Sequence, residues 1–144
     1  MNTNNFKILV EALEALPEEI KNNQVDMKSV LEPICGTPGC FAGLISIVAN
    51  DIPKLKQAYK GEDYHYTDWE AALNIFLECT FREWAYDNWE IWGNSKGMGV
   101  FSCSLSFGVE IYDALTHNMI IIHLRKAFDK WIDFENKSNE HQYP

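Results

Sequence analysis

The sequence is short of positive charge. Twelve Lys and Arg stand against 21 Asp and Glu, for a formal net charge of −9 and a pI near 4.8. A surface with that balance is not suited to gripping nucleic acid by neutralising phosphates, nor to a polybasic contact with anionic lipid. No apolar run approaches the roughly 20 residues that span a bilayer. The opening MNTNNFKILVEALEAL lacks the basic and apolar regions of a signal peptide. Asn-Gly and Asp-Gly hairpin turns are missing, and no long alternating strand pattern survives. The P-loop pattern is absent too, and Cys35, Cys40, Cys79 and Cys103 contain no C-x-x-C pair. These absences point to a soluble cytoplasmic protein with buried free thiols, needing no nucleic acid, membrane, metal or cofactor.

What is present suffices for one domain. A chain of 144 residues, 47% hydrophobic, should bury roughly two-thirds of the surface its unfolded form exposes. Phe6, Leu9, Val10, Leu13 and Leu16 recur at helical spacing, so residues 5–16 read as an amphipathic helix stopped by Pro17. Phe41 to Val48 is apolar nearly all round and reads as a central helix. Asp51-Ile52-Pro53 opens a short helical stretch to about Tyr59. Thr67 and Glu70 have capping-box spacing ahead of Trp69, Leu73, Phe76 and Leu77. Thr80 restarts a helix that runs to Gly93, Ser104–Leu115 forms another, and residues 116–135 the last. In that last helix Ile120, Leu124, Ala127, Trp131 and Phe134 share a face. The expectation is an all-α, compact single-domain bundle of six or seven helices over residues 1–135. Only 99–106 has strand character, and the polar segment 136–144 is a disordered tail.

Cys35-Gly36-Thr37-Pro38-Gly39-Cys40-Phe41-Ala42-Gly43 is the most distinctive stretch. Gly36 permits a tight entry, Thr37 caps, and Pro38 presets φ. Cys40 then falls near the positive end of a helix dipole, which would lower its pKa if exposed, whereas apolar neighbours would bury it. The stretch resembles the C-G-T-x-x-C-x-A-G motif of small uncharacterised bacterial and phage proteins. The resemblance implies a bacterial or phage origin and carries no activity with it. Such proteins often have a histidine soon after the motif, where this chain has Leu44.

The second feature is an acidic, aromatic segment. Glu62 to Glu90 holds eight carboxylates against Arg82 alone, a local charge of −7, together with Trp69, Trp84, Trp89 and Trp92. Trp84 and Trp89 are five apart and cannot share one narrow stripe, so an indole is expected at the surface. Glu83, Asp87 and Glu90 line one face.

No complete catalytic constellation is evident. Glu110, Asp113 and His117 share a face but lack a second E-x-x-H, and read as polar helix surface. Two functions compete. The first is a non-enzymatic acidic interaction protein, phage-encoded if the resemblance holds, contacting a host protein through Glu83, Trp84, Asp87, Trp89, Glu90 and Trp92. The alternative is a small-molecule or anion binder, or a minor enzyme, built on Thr37, Gly39 and Cys40 with Lys96 from the glycine-rich loop 93–99. The sequence carries no signal for an oligomeric state.

Overall fold

The computed structural model describes residues 1–22, 41–60, 66–88 and 116–141. These are helical: α1 (Thr3–Glu14), α2 (Glu18–Lys21), α3 (Phe41–Val48), α4 (Pro53–Ala58), α5 (Tyr66–Leu77), α6 (Phe81–Asp87) and α7 (His117–His141). A single 3-10 turn, Ala49–Asp51, joins α3 to α4. Among the described residues there is no β-strand, and the all-α expectation holds. The possible strand at 99–106 and the helix at 104–115 lie outside them.

One apolar cluster joins the elements. Phe6, Leu9, Val10 and Leu13 of α1 meet Leu44, Ile45 and Val48 of α3, Leu55 of α4, Trp69, Leu73, Phe76 and Leu77 of α5, and Ile120 and Leu124 of α7. The periodicity expected for α1, α5 and the first half of α7 is thus the buried face. Ser46 of α3 is buried without leaving its hydroxyl idle, donating to the Gly43 carbonyl at 2.7 Å. Pro53 takes the first position of α4, where its missing N–H is no loss. Thr116 stands ahead of α7 and its Oγ1 accepts from the Met119 N–H at 3.4 Å.

α1 and α7 run antiparallel. At one end the Trp131 indole N–H donates to Thr3 Oγ1 at 3.0 Å, and the Thr3 hydroxyl donates to Glu135 at 3.1 Å. At the other, Arg125 grips Glu14 with two N–H groups, through Nε at 2.9 Å and through Nη2, and reaches Asp129 at 3.5 Å. Lys21 of α2 folds back to the Glu14 carbonyl at 3.0 Å.

The hydrogen bonds from Arg125 hold the Glu14 carboxyl below its ordinary range, against a smaller opposing effect of burial. The linkage follows in sign. A carboxyl with a depressed folded-state pKa stabilises the fold above its unfolded value of about 4.3, and that contribution is lost as pH falls through the lowered value. Stability measured by urea melts should therefore drop as the pH falls below about 4.3 in the native chain, and less steeply in Arg125→Met. Both partners are partly solvent-exposed, so the difference should stay near 1 kcal/mol or below.

α7 corrects two expectations. It does not stop at residue 135 but continues to His141, through the segment expected to be a disordered tail. The polar composition of 136–141 gives no reason to start a helix. Extending one already nucleated and anchored adds a backbone hydrogen bond per residue fixed, which is a far smaller demand. Phe134, expected on the buried face, is 50% exposed and stacks on Trp131 at a ring separation of 5.7 Å. Thr3, the first residue of α1, already lies opposite Trp131 and Glu135, so Phe134 is at the edge of the interface. No helix among the described residues is long and apolar enough to cross a membrane.

Candidate functional site

Of the six residues expected to form an acidic aromatic surface, the structure places Glu83, Trp84 and Asp87 on α6. Trp89, Glu90 and Trp92 lie outside the described residues. Glu83 and Asp87 are exposed, one turn apart. Trp84 is not: it keeps 8% of its surface and belongs to the core. Its ring packs edge-on against Phe6 at 5.6 Å and Trp131 at 5.3 Å, and roughly parallel to Phe81 at 5.9 Å. The physical reason is periodicity. Phe81 and Trp84, three apart, share the inward face of a seven-residue helix, which turns 83 and 87 outward. Glu83 and Asp87 stay available, while this tryptophan cannot be a contact without unpacking the helix.

The alternative site, Thr37, Gly39, Cys40 and Lys96, lies outside the described residues, as do Cys35 and Cys103. The motif enters the structure at α3, where Gly43 is buried and Leu44 fully so. Cys79 is the one cysteine among the described residues, a half-buried free thiol whose pKa burial pushes up. His117 is fully buried rather than part of a polar helix surface, because it shares the inward face of α7 with Ile120, Ile121 and Leu124. Glu110 and Asp113 lie outside the described residues, among which no group of three or more His, Cys, Asp or Glu could hold a metal.

A different arrangement, unmarked in the sequence, is assembled where α1 starts and α5 ends. A helix leaves its last four carbonyls without intrahelical partners, and here each is answered. The Cys79 N–H donates to the Asn74 carbonyl and the Glu78 N–H to that of Ile75, both at 3.2 Å. This paired pattern is a Schellman closure. Asn5 Nδ2 donates to the Phe76 carbonyl at 2.8 Å, and the Asn2 N–H to that of Leu77 at 2.7 Å. Asn2 also caps α1, its Oδ1 accepting from the Asn5 N–H at 3.0 Å, while its Nδ2 donates to Glu78. Asn74 Oδ1 in turn accepts from the Phe81 N–H at 2.9 Å, fastening the start of α6 to the same joint.

The Schellman closure requires a left-handed residue, and Glu78 supplies it with φ of 56°. Glycine ordinarily takes that place because a side chain there costs about 1–2 kcal/mol. The glutamate is held by the Asn2 amide. Beside this joint a groove of about 500 Å³ opens, lined by Asn2, Asn5, Lys54, Gln57, Lys60, Ile75 and Glu78, with Ala58 and Phe76. Its polar lining comes from three elements distant in sequence, so no local motif could have announced it. The chain matches no protein-family model, and neither the curated proteins nor the solved structures contain a match to it.

Proposed function

We propose that this chain is a non-enzymatic interaction protein that binds a basic partner protein through the acidic surface containing α6. The observation that supports this most is the pair Glu83 and Asp87, both exposed and both without an ion-pair partner among the described residues. Like charges four apart weaken a helix by about 0.2–0.5 kcal/mol. Asp87 additionally occupies the last turn, where the macrodipole disfavours an anion. A helix shaped by stability alone would place a cation at 87. Partner binding accounts for a carboxylate kept there, since a complementary basic face would gain both charges at once.

The test combines stability with contact. Asp87→Lys should stabilise the fold by about 0.5 kcal/mol in urea melts. Glu83→Lys with Asp87→Lys should at the same time remove the dominant cross-linked partner recovered from bacterial lysate, with cross-links in the native chain mapping to α6. Retention of that partner by the doubly reversed chain, within about twofold, would place the binding surface elsewhere.

A further inference from the structure

We propose that the groove between the start of α1, the length of α4 and the end of α5 is a docking site for an acidic peptide segment of a protein partner. Charge sets this groove apart. In a chain of net charge −9 the described residues of its walls carry Lys54 and Lys60 against one carboxylate, Glu78, which the Asn2 amide already engages. Lys7, Lys21 and Lys56 each have a partner within the protein. Lys54, Gln57 and Lys60 have none among the described residues. Two ammonium groups and an amide therefore face the same open volume with their hydrogen-bonding capacity unspent.

The remaining walls decide what kind of anion fits. Ile75 exposes 59% of its surface beside the lysines, more than any other large hydrophobic residue of the described chain. Ala58 and Phe76 line the groove with it. A compact inorganic anion has no use for that apolar side. Lys54 lies in the first turn of α4 and Lys60 two residues beyond its end, so the cations are spread along the groove rather than converged on one point. Separate carboxylates carried on a partly aliphatic backbone match both features. The volume, about 500 Å³, is within the usual 300–1,000 Å³ range of ligand-sized clefts and holds a short segment. Asn2 and Asn5 are committed to α5 and serve as a fixed wall.

A fluorescein-labelled acidic pentapeptide, Glu-Leu-Glu-Glu-Leu, titrated against the full chain tests this by fluorescence anisotropy. Binding should be saturable and should weaken about tenfold in Lys54→Glu/Lys60→Glu and about fivefold in Ile75→Ser. Melting temperatures should stay within a degree or two because the three side chains are exposed. Three results would overturn the proposal. One is no saturable signal up to about 1 mM peptide, the weak end of specific recognition. Another is displacement of the peptide by equimolar succinate or inorganic phosphate, which makes the groove a small-anion site. The third is concentration-dependent self-association in sedimentation that Lys54→Glu/Lys60→Glu abolishes, which makes the occupant a second copy.

Discussion

Replacing Trp84 with alanine should cost the fold about 3–5 kcal/mol, the range for emptying an aromatic site in a packed core. The indole is wedged among Phe6, Phe81 and Trp131, so its removal empties the junction of α1, α6 and α7. Edge-on aromatic pairs add about 0.5–1.5 kcal/mol each beyond the area they bury, and Trp84 makes such pairs with Phe6 and Trp131. Against a typical domain stability of about 5–15 kcal/mol this is a large fraction. Urea denaturation followed by far-UV circular dichroism should show a markedly lower midpoint, and Trp84→Phe should recover more than half of the loss. If Trp84→Ala keeps its midpoint, the residue is a surface group and the division of α6 into an inner aromatic and an outer acidic face is wrong.

The second large effect should come from Asn5. Its amide satisfies the Phe76 carbonyl at a partly buried position, so Asn5→Ala should lose about 1–2 kcal/mol by leaving that acceptor unanswered. Asn5→Asp keeps the shape but turns an acceptor toward an acceptor, and should be no better. Asn2→Ala removes the cap of α1 together with the bond to Glu78, for a similar loss of about 1 kcal/mol. The two residues brace one joint, so the double variant should lose less than the two single losses added together. Strict additivity in denaturant melts would show that the contacts act separately.

How far the fold could be read from the chain depended on the range of the cause. Phe6, Leu9, Val10 and Leu13 repeat with the period of a helix, and burial of one face is a local consequence of that period. The same holds for Trp69, Leu73, Phe76 and Leu77 in α5. Trp84 was ambiguous because helical spacing sets positions 84 and 89 on different faces, and only the position of α1 and α7 shows that the face of Trp84 is enclosed. In the joint built by Asn2, Asn5 and Asn74 only the Asn2 cap of α1 has a local signature. Asn5 and Phe76 are 71 positions apart, and a polar residue whose partner is a distant carbonyl looks like any solvent-exposed polar residue. Composition misled at the C-terminal end, where 136–141 inherits its helix from the anchored turns before it.

The antiparallel seam between α1 and α7 also sets an order of events while the chain is being made. Thr3 and Glu135 are bonded across 132 positions, and Glu14 and Arg125 across 111. At synthesis rates of about 5–20 residues per second, the first helix leaves the ribosome roughly 6–25 seconds before its partner. Through that interval Phe6, Leu9, Val10 and Leu13 have, among the described elements, those that precede α7 to lie against, and the α7 side of the stripe stays wet. A chaperone that binds the apolar face of a short helix should therefore engage residues 3–14 of the nascent chain, and should release them once residue 135 has emerged.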